Sequence, residues 1–296
     1  MPETLTPDIT KLAYQTFQQS KQAFGFAHKT LSTRFLNTFA GAKREEPNPP
    51  DPKMLQLLQS RIETLLEADW ADAEQNVYPK STLFENRWDD FFRFYPELWL
   101  DLPKIWDRAS NKRHQEFSED IDTTGYPAYY VQNFHHQTDG YFSKISADMY
   151  DLQVEVLFNG TAAPMRRRIL APLKQHLMSM PVETETTPQP RKVLDIACGT
   201  GNSLTWINQA MPEVSLYGVD LSPAYIRKAN ENLANIQGNM PAQLIQANAE
   251  SLPFVDEFFE ATTSTFLFHE LPADARQNVI NEAYRVTKPG DRKSVV

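Results

Sequence analysis

Apolar positions along the chain follow two different rhythms. As far as about residue 180 they recur at three- and four-residue spacing, the period of a helix that buries one face. Phe84, Trp88, Phe91, Phe92, Tyr95 and Trp99 form one such stripe, which reads as core packing. Pro96 lies within it and is expected to break or restart the helix, because proline has no N–H to donate. Leu55, Leu57, Leu58, Ile62, Leu65 and Leu66 form a second stripe. Residues 141–158 and 163–179 read as two further helices around a turn at Asn159-Gly160. The run Arg166-Arg167-Arg168 falls in the latter helix and is expected to be a solvated face.

After residue 190 the pattern changes to short apolar runs alternating with helical ones. Strands are expected at 192–197, 215–219, 242–247 and 260–267, with helices at 202–211, 223–236 and 272–286. Such alternation implies a parallel sheet with right-handed crossovers and a ligand at the carboxyl ends of the strands. The expected class is therefore α/β, a Rossmann-like parallel sheet preceded by a mainly helical N-terminal region. Two polar, proline-rich stretches, 41–53 and 181–190, read as linkers. The expected organisation is a helical region over 1–182, a linker over 183–190 and a sheet domain over 191–290.

Composition narrows the classes of function. The 296 residues are 41% hydrophobic and 11% aromatic, ample for a packed core. A net charge of −9 argues against a broad nucleic-acid footprint, which needs a cationic face. The single cysteine, Cys198, excludes a disulfide framework and a cysteine-rich metal site. The N-terminus lacks the charged start and apolar run of a signal peptide. No stretch approaches the ~18–20 apolar residues of a membrane span. A cytoplasmic protein acting on a small molecule is expected, with no nucleic-acid partner, no membrane span and no metal.

The chemistry concentrates in Val193-Leu194-Asp195-Ile196-Ala197-Cys198-Gly199-Thr200-Gly201-Asn202, followed by a second strand ending in Asp220. A strand-end acid, a glycine turn, a helix and then another strand-end acid suit a nucleoside-bearing ligand, with backbone amides on one side and a ribose-binding carboxylate on the other. The nicotinamide fingerprint needs three glycines to admit a pyrophosphate. Ala197, Gly199 and Asn202 occupy those places, so two of the three fail. No Gly-Lys-Ser/Thr follows the turn, which excludes a P-loop.

Asp195, Ala197, Gly199 and Gly201 in order resemble motif I of class I S-adenosylmethionine-dependent methyltransferases. Gly218-Val219-Asp220-Leu221-Ser222 resembles motif II. Gln246 to Phe254 resembles the adenine-side segment, with Asn248 where the family usually has Asp. Phe258 to Pro272 and Lys288-Pro289-Gly290 resemble motif IV and the turn after the next helix. The resemblance covers about a third of the chain and is nearest the ubiquinone- and menaquinone-biosynthesis type. It implies S-adenosylmethionine as cofactor, with Asp195 toward the ammonium and Asp220 on the ribose hydroxyls. Gly199 and Gly201 would admit the ligand to the backbone, and Asn248 and Ala249 would read the adenine edge. Leu221 and Phe266 complete the implied cofactor set.

The implied reaction is methyl transfer to a small acceptor, at carbon or oxygen, by in-line displacement. His269, after the fourth strand, is the candidate base, since imidazole suits proton removal near neutral pH. His135, His136 and Tyr141 belong to a polar, aromatic segment that reads as a lid or substrate wall. A metal reading of His135 and His136 is weak, because adjacent side chains point apart. Cys198 reads as a turn filler. Two other readings compete: a non-catalytic regulatory or scaffolding protein that binds S-adenosylmethionine, and a degenerate dehydrogenase. The family fold orders seven strands 3-2-1-4-5-7-6, so the chain is expected to be truncated after strand four. The ending Asp291 to Val296, which departs from the family pattern and matches a translated sequencing adapter, is expected to be a non-native tail.

Overall fold

A computed structural model describes residues 9–39, 51–85, 88–181, 189–234 and 241–290. The described chain separates into two compact units. One runs to Pro103 and adds Leu152–Arg167; the other comprises Lys104–Asp151 and everything from Arg168 on. The expected linkers at 41–53 and 183–190, and the tail at 291–296, lie largely or wholly outside the described residues.

The first unit contains α1 (Ile9–Phe39), α2 (Pro52–Glu74), the first part of α3 (Trp88–Ser110), the end of α4 (Lys144–Leu157) and α5 (Ala162–Arg167). Helix α2 starts inside the expected linker. Asp51 caps it by accepting from the Lys53 N–H at 3.0 Å, and Pro52 takes the first helical position, where a missing N–H costs nothing. The aromatic stripe packs as expected in part. Phe91 stacks on Tyr95 at 5.1 Å, and Phe24 and His28 of α1 meet Tyr95 at 5.3 and 5.6 Å. Phe92 departs from that reading, since it is 71% exposed. Phe84 belongs to a separate turn, Lys80–Phe84. Pro96 does not break α3, which continues through both Pro96 and Pro103. A helical proline forfeits one backbone hydrogen bond, and the buried side chains on either side of it, Phe94 and Leu98, hold the helix together across the gap.

The arginine run corrects a second expectation. Arg166 and Arg167 are buried, not solvated. Arg167 grips Asp69 of α2 with two bonds, Nε to Oδ1 at 2.9 Å and Nη2 to Oδ2 at 2.6 Å. The hydroxyls of Tyr78 and Tyr14 donate to the same two oxygens, each at 2.6 Å. Helical spacing identifies a face but not what covers it. Here the cover is an acid 98 residues away.

The second unit holds the rest of α3 and α4, α6 (Leu170–Ser179), β1 (Lys192–Ile196), α7 (Asn202–Ala210), β2 (Ser215–Asp220), α8 (Pro223–Leu233), β3 (Gln243–Gln246), β4 (Ala261–Thr263) and α9 (Ala273–Val286). The expected single helix over 163–179 is therefore two helices, α5 and α6. The described strands form one parallel sheet in the order β3-β2-β1-β4. The architecture is a helical N-terminal region followed by a Rossmann-like parallel sheet with helices. Val193, Leu194 and Ile196 on β1 are at most 1% exposed, because helices cover both faces of the sheet. Each such side chain stabilises the fold by about 1.5–3 kcal/mol. The fourth strand is shorter than expected. After Thr263 the chain leaves the ladder, and Phe268–Glu270 form a single tight helical turn. Just before β4, Phe259 pairs with the C-terminal end of α9 and the residues that follow it, donating to Val286 O and accepting from Lys288 N at 2.9 and 2.8 Å. Among the described residues no helix is long and apolar enough to cross a membrane.

Candidate functional site

The chain reverses direction between β1 and α7 in a turn that few residues could make. Ala197, Gly199 and Gly201 all have positive φ, at 57°, 55° and 84°. A Cβ on Gly199 would meet nothing within 4 Å, so its surroundings are open. Gly201 is different. A Cβ there would press on Leu233 and Ala229 of α8 at 3.2–3.3 Å, so this glycine serves close helix packing. Gly218 on β2 is tighter still, since Leu244, the Cys198 sulfur and Leu204 all stand within 2.9 Å of where its Cβ would be. The turn is pinned from outside by Asp151, near the middle of α4. Its carboxylate accepts from Thr200 Oγ1 at 2.8 Å and from Asn202 Nδ2 at 2.7 Å. Asn232 of α8 donates to the Thr200 carbonyl at 2.7 Å. The loop is thus tied to α4 and α8 by side chains outside it.

Asp220 ends β2 and faces this turn. Its Oδ2 accepts the Gly199 N–H at 2.9 Å and its Oδ1 the Ser222 N–H at 2.8 Å. Burial lifts its carboxyl from 3.8 to about 6, and the bonds from the Ser222, Gly199 and Leu221 amides only partly oppose that rise. Ser222 then caps α8 by accepting from the Tyr225 N–H at 3.1 Å. Asp195 is placed differently. It lies beneath the site at 1% exposure and accepts from Thr263 Oγ1 at 2.8 Å. Cys198 is also buried, and burial together with Asp220 and Asp195 pushes its thiol well up, which suits a filler rather than a nucleophile.

Above the carboxyl ends of β1 and β2 opens a cleft with about 740 Å³ of unfilled space, the open solvent at its mouth included. Ala197, Gly199, Asp220, Leu221, Asn248, Ala249, Phe266 and Tyr141 line it. Asp195, Gly201, His135, His136 and His269 do not. Asn248 Oδ1 accepts the Glu250 N–H at 2.9 Å and so also shapes its own turn. Phe266 stands in the cleft wall with φ 60°, an uncommon conformation for an aromatic residue.

Sequence reasoning missed much of the wall. Besides Tyr141, the cleft is lined by Tyr129, Tyr130, Tyr150 and Tyr225. Tyr225 meets Tyr141 and Tyr150 edge-on at 5.4 and 5.3 Å. Burial pushes the hydroxyls of Tyr130, Tyr141 and Tyr225 well above their ordinary range, so they remain neutral. Glu270, adjacent to His269, was also missed. It lines the cleft and accepts the Tyr141 hydroxyl at 2.7 Å. His135 and His269 approach the same oxygen at 3.2 and 3.4 Å. The density of tyrosine between residues 126 and 150 was the available signal, and it does not say which ring faces a ligand.

Comparison with known proteins agrees with this geometry. Residues 193–290 match the family described as a methyltransferase domain. A demethylmenaquinone methyltransferase of Thermus thermophilus is 31% identical over 52% of this chain and 63% of its own length. A ubiquinone/menaquinone biosynthesis C-methyltransferase of Desulfotalea psychrophila is 32% identical over 49% of this chain and 52% of its own. Among solved structures, the PH0226 protein of Pyrococcus horikoshii is 28% identical, covering 42% of this chain and 50% of that one at a TM-score of 0.34. The chain thus spans about half the length of the curated relatives it matches.

Proposed function

The C-terminal part of the chain carries a class I S-adenosylmethionine-dependent methyltransferase domain, distantly similar to the menaquinone enzymes, and from that premise we propose that this protein methylates a small acceptor at carbon or oxygen. The observation that carries the reading is Asp220, a carboxylate at the cleft with its acceptor capacity only partly used by backbone amides. A carboxylate offers about four lone-pair sites. Ribose hydroxyls would take up the remaining capacity as charge-assisted bonds. The open side of Gly199 fits the same ligand, because there a nucleoside can lie against bare backbone.

When bound, S-adenosylmethionine supplies a methyl group on a sulfonium, a good leaving group. The chain's own part is placement. Asp220 holds the ribose, and Leu221, Asn248 and Ala249 bound the adenine end. Phe266 and the tyrosines form an apolar, flat-sided wall that suits an aromatic acceptor. Asp195 acts from below, through Thr263 and the β1 end, as a support for the turn. Alignment of donor and acceptor accounts for about 7–11 kcal/mol of rate enhancement in favourable systems, so no base is needed unless the acceptor must lose a proton. Where it must, His269, beside Glu270 at the cleft, is the candidate base, and His135, His136 and Tyr141 belong to the substrate side.

Calorimetry with S-adenosylmethionine, S-adenosylhomocysteine and NAD tests the ligand. Binding of the two S-adenosyl compounds, abolished in Asp220→Ala, is expected. Binding of NAD alone would point to the dehydrogenase reading. Transfer of labelled methyl into a cell extract, followed by identification of the product, then separates an enzyme from a binding protein that does not catalyse.

A further inference from the structure

The geometry points to a site for a divalent transition-metal ion formed by His135 Nε2, His269 Nε2 and Glu270 Oε1, of which Glu270 alone lines the cleft. These three atoms all lie within 4.8 Å of one another. Two of the three separations are 3.2 and 3.4 Å. Ligands bonded at about 2.0–2.1 Å around a tetrahedral ion stand roughly 3.3–3.4 Å apart, so two edges of the coordination figure already exist. The third closes with a small swing of imidazoles whose side chains are 51% and 54% exposed.

The donor set also has the right chemistry. Two imidazoles and one carboxylate are the protein share of an open zinc site, which leaves a further position for water or a substrate atom. The carboxylate has the outer support that such ligands use, because the Tyr141 hydroxyl donates to it at 2.7 Å. Glu270 is largely shielded, with 11% of its side chain exposed, while the two histidines leave an approach from solvent. Expecting no metal rested on the single cysteine and on the weakness of His135 and His136 as a pair. His136 is not one of the three, and His135 groups instead with residues 134 and 135 positions further along. His135 holds a left-handed backbone, φ 53° and ψ 23°, to do so.

Glu270 belongs to the cleft wall, so an acceptor hydroxyl bound there would stand beside the ion and lose its proton more readily. In that form His269 is a ligand and the ion takes over the work of a base. This consequence rests on the methyl-transfer reading; the site itself does not.

The test uses the tag-free full chain without any nucleoside, so its result is independent of cofactor binding. Co2+ is titrated and followed by the visible absorption of tetrahedral cobalt, and Zn2+ is then measured by displacement and calorimetry. One ion per chain is expected. His135→Ala and His269→Ala should each weaken binding by at least about tenfold, and Glu270→Gln, which keeps an acceptor for Tyr141, should weaken it likewise. His114→Ala, which removes an exposed imidazole that meets the Lys112 carbonyl in its own loop, should leave binding unchanged. No cobalt band at millimolar metal, or binding that survives His135→Ala and His269→Ala combined, overturns the proposal.

Discussion

Asp69 in the helical unit and Asp220 in the sheet unit are both carboxylates drawn away from water, yet their surroundings differ in kind. Asp69 accepts four bonds, two from Arg167 and one each from Tyr14 and Tyr78, and carries a bidentate cation. Burial would raise its carboxyl, but Arg167 and the two tyrosine hydroxyls more than offset that and hold it below its ordinary value. Asp220 is held by backbone amides rather than by a cation, and burial lifts it to about 6. A saturated acid is a structural joint, because nothing further can be added to it. An acid kept short of partners at a cleft is poised for a ligand that brings donors. Opposite pKa directions thus set a fastening apart from the acid proposed to bind a ligand.

The strongest way to break that contrast is to remove the cation. Arg167→Met leaves Asp69 buried without its charge partner, which should cost about 3–5 kcal/mol of stability in urea unfolding. Replacing Arg167 and Asp69 together with apolar residues should recover most of the loss. A cost below about 1 kcal/mol for the single change would mean that water or another group already serves Asp69. The pH signature is fixed by sign. A folded value below the unfolded one contributes stability that is fully present above the ordinary carboxylate range and is lost as pH falls through the depressed value.

The matching change in the other unit should act on ligand and hardly on fold. Asp220→Asn removes the charge from the proposed ribose contacts, so S-adenosyl affinity should fall by about 2–3 kcal/mol, roughly 30–150-fold, in calorimetry. Its thermal unfolding should be unchanged or slightly later, because a carboxylate burdened by burial has been neutralised. A large loss of stability in Asp220→Asn would make Asp220 a second Asp69 and remove the contrast.

The two acids were not equally legible in the chain. Asp220 stood out because short-range order marks it: an apolar strand, an acid, a serine cap and a proline at the start of a helix. The parallel sheet and the turn from Asp195 to Gly201 were legible for the same reason, since each depends on neighbours in sequence, whereas the strand order came only with the family resemblance. Arg167 was read as solvated because its partner lies on another helix, and helical periodicity says nothing about polar partners. Pro96 misled in a related way, since a local penalty was outweighed by packing against α1. The convergence of His135, Tyr141 and Glu270 joins segments more than a hundred residues apart, with no repeat or spacing to announce it. Local chemistry was visible, and chemistry made by tertiary contact was not.

The smallest expected effect sharpens the comparison most, because it needs no mutation to reveal opposite signs. Asp220 titrates at about 6 in the folded chain, above the ordinary 3.8. Between those values the folded chain holds a proton that the unfolded chain has released, so this group adds stability as pH falls, the reverse of Asp69. In the proposed contact ribose hydroxyls donate to the ionised form, so ligand binding would pull the proton off. Affinity should therefore hold near neutral pH and drop by about tenfold between roughly pH 7 and pH 5 as the free carboxyl takes up its proton. Calorimetry in buffers of different ionisation enthalpy should detect close to one proton released per ligand near the lower pH. The amide introduced by Asp220→Asn cannot titrate, so that variant should show the weakened affinity with the slope removed. A slope that persists in the variant would assign the titration to another group and leave Asp220 without its distinguishing property.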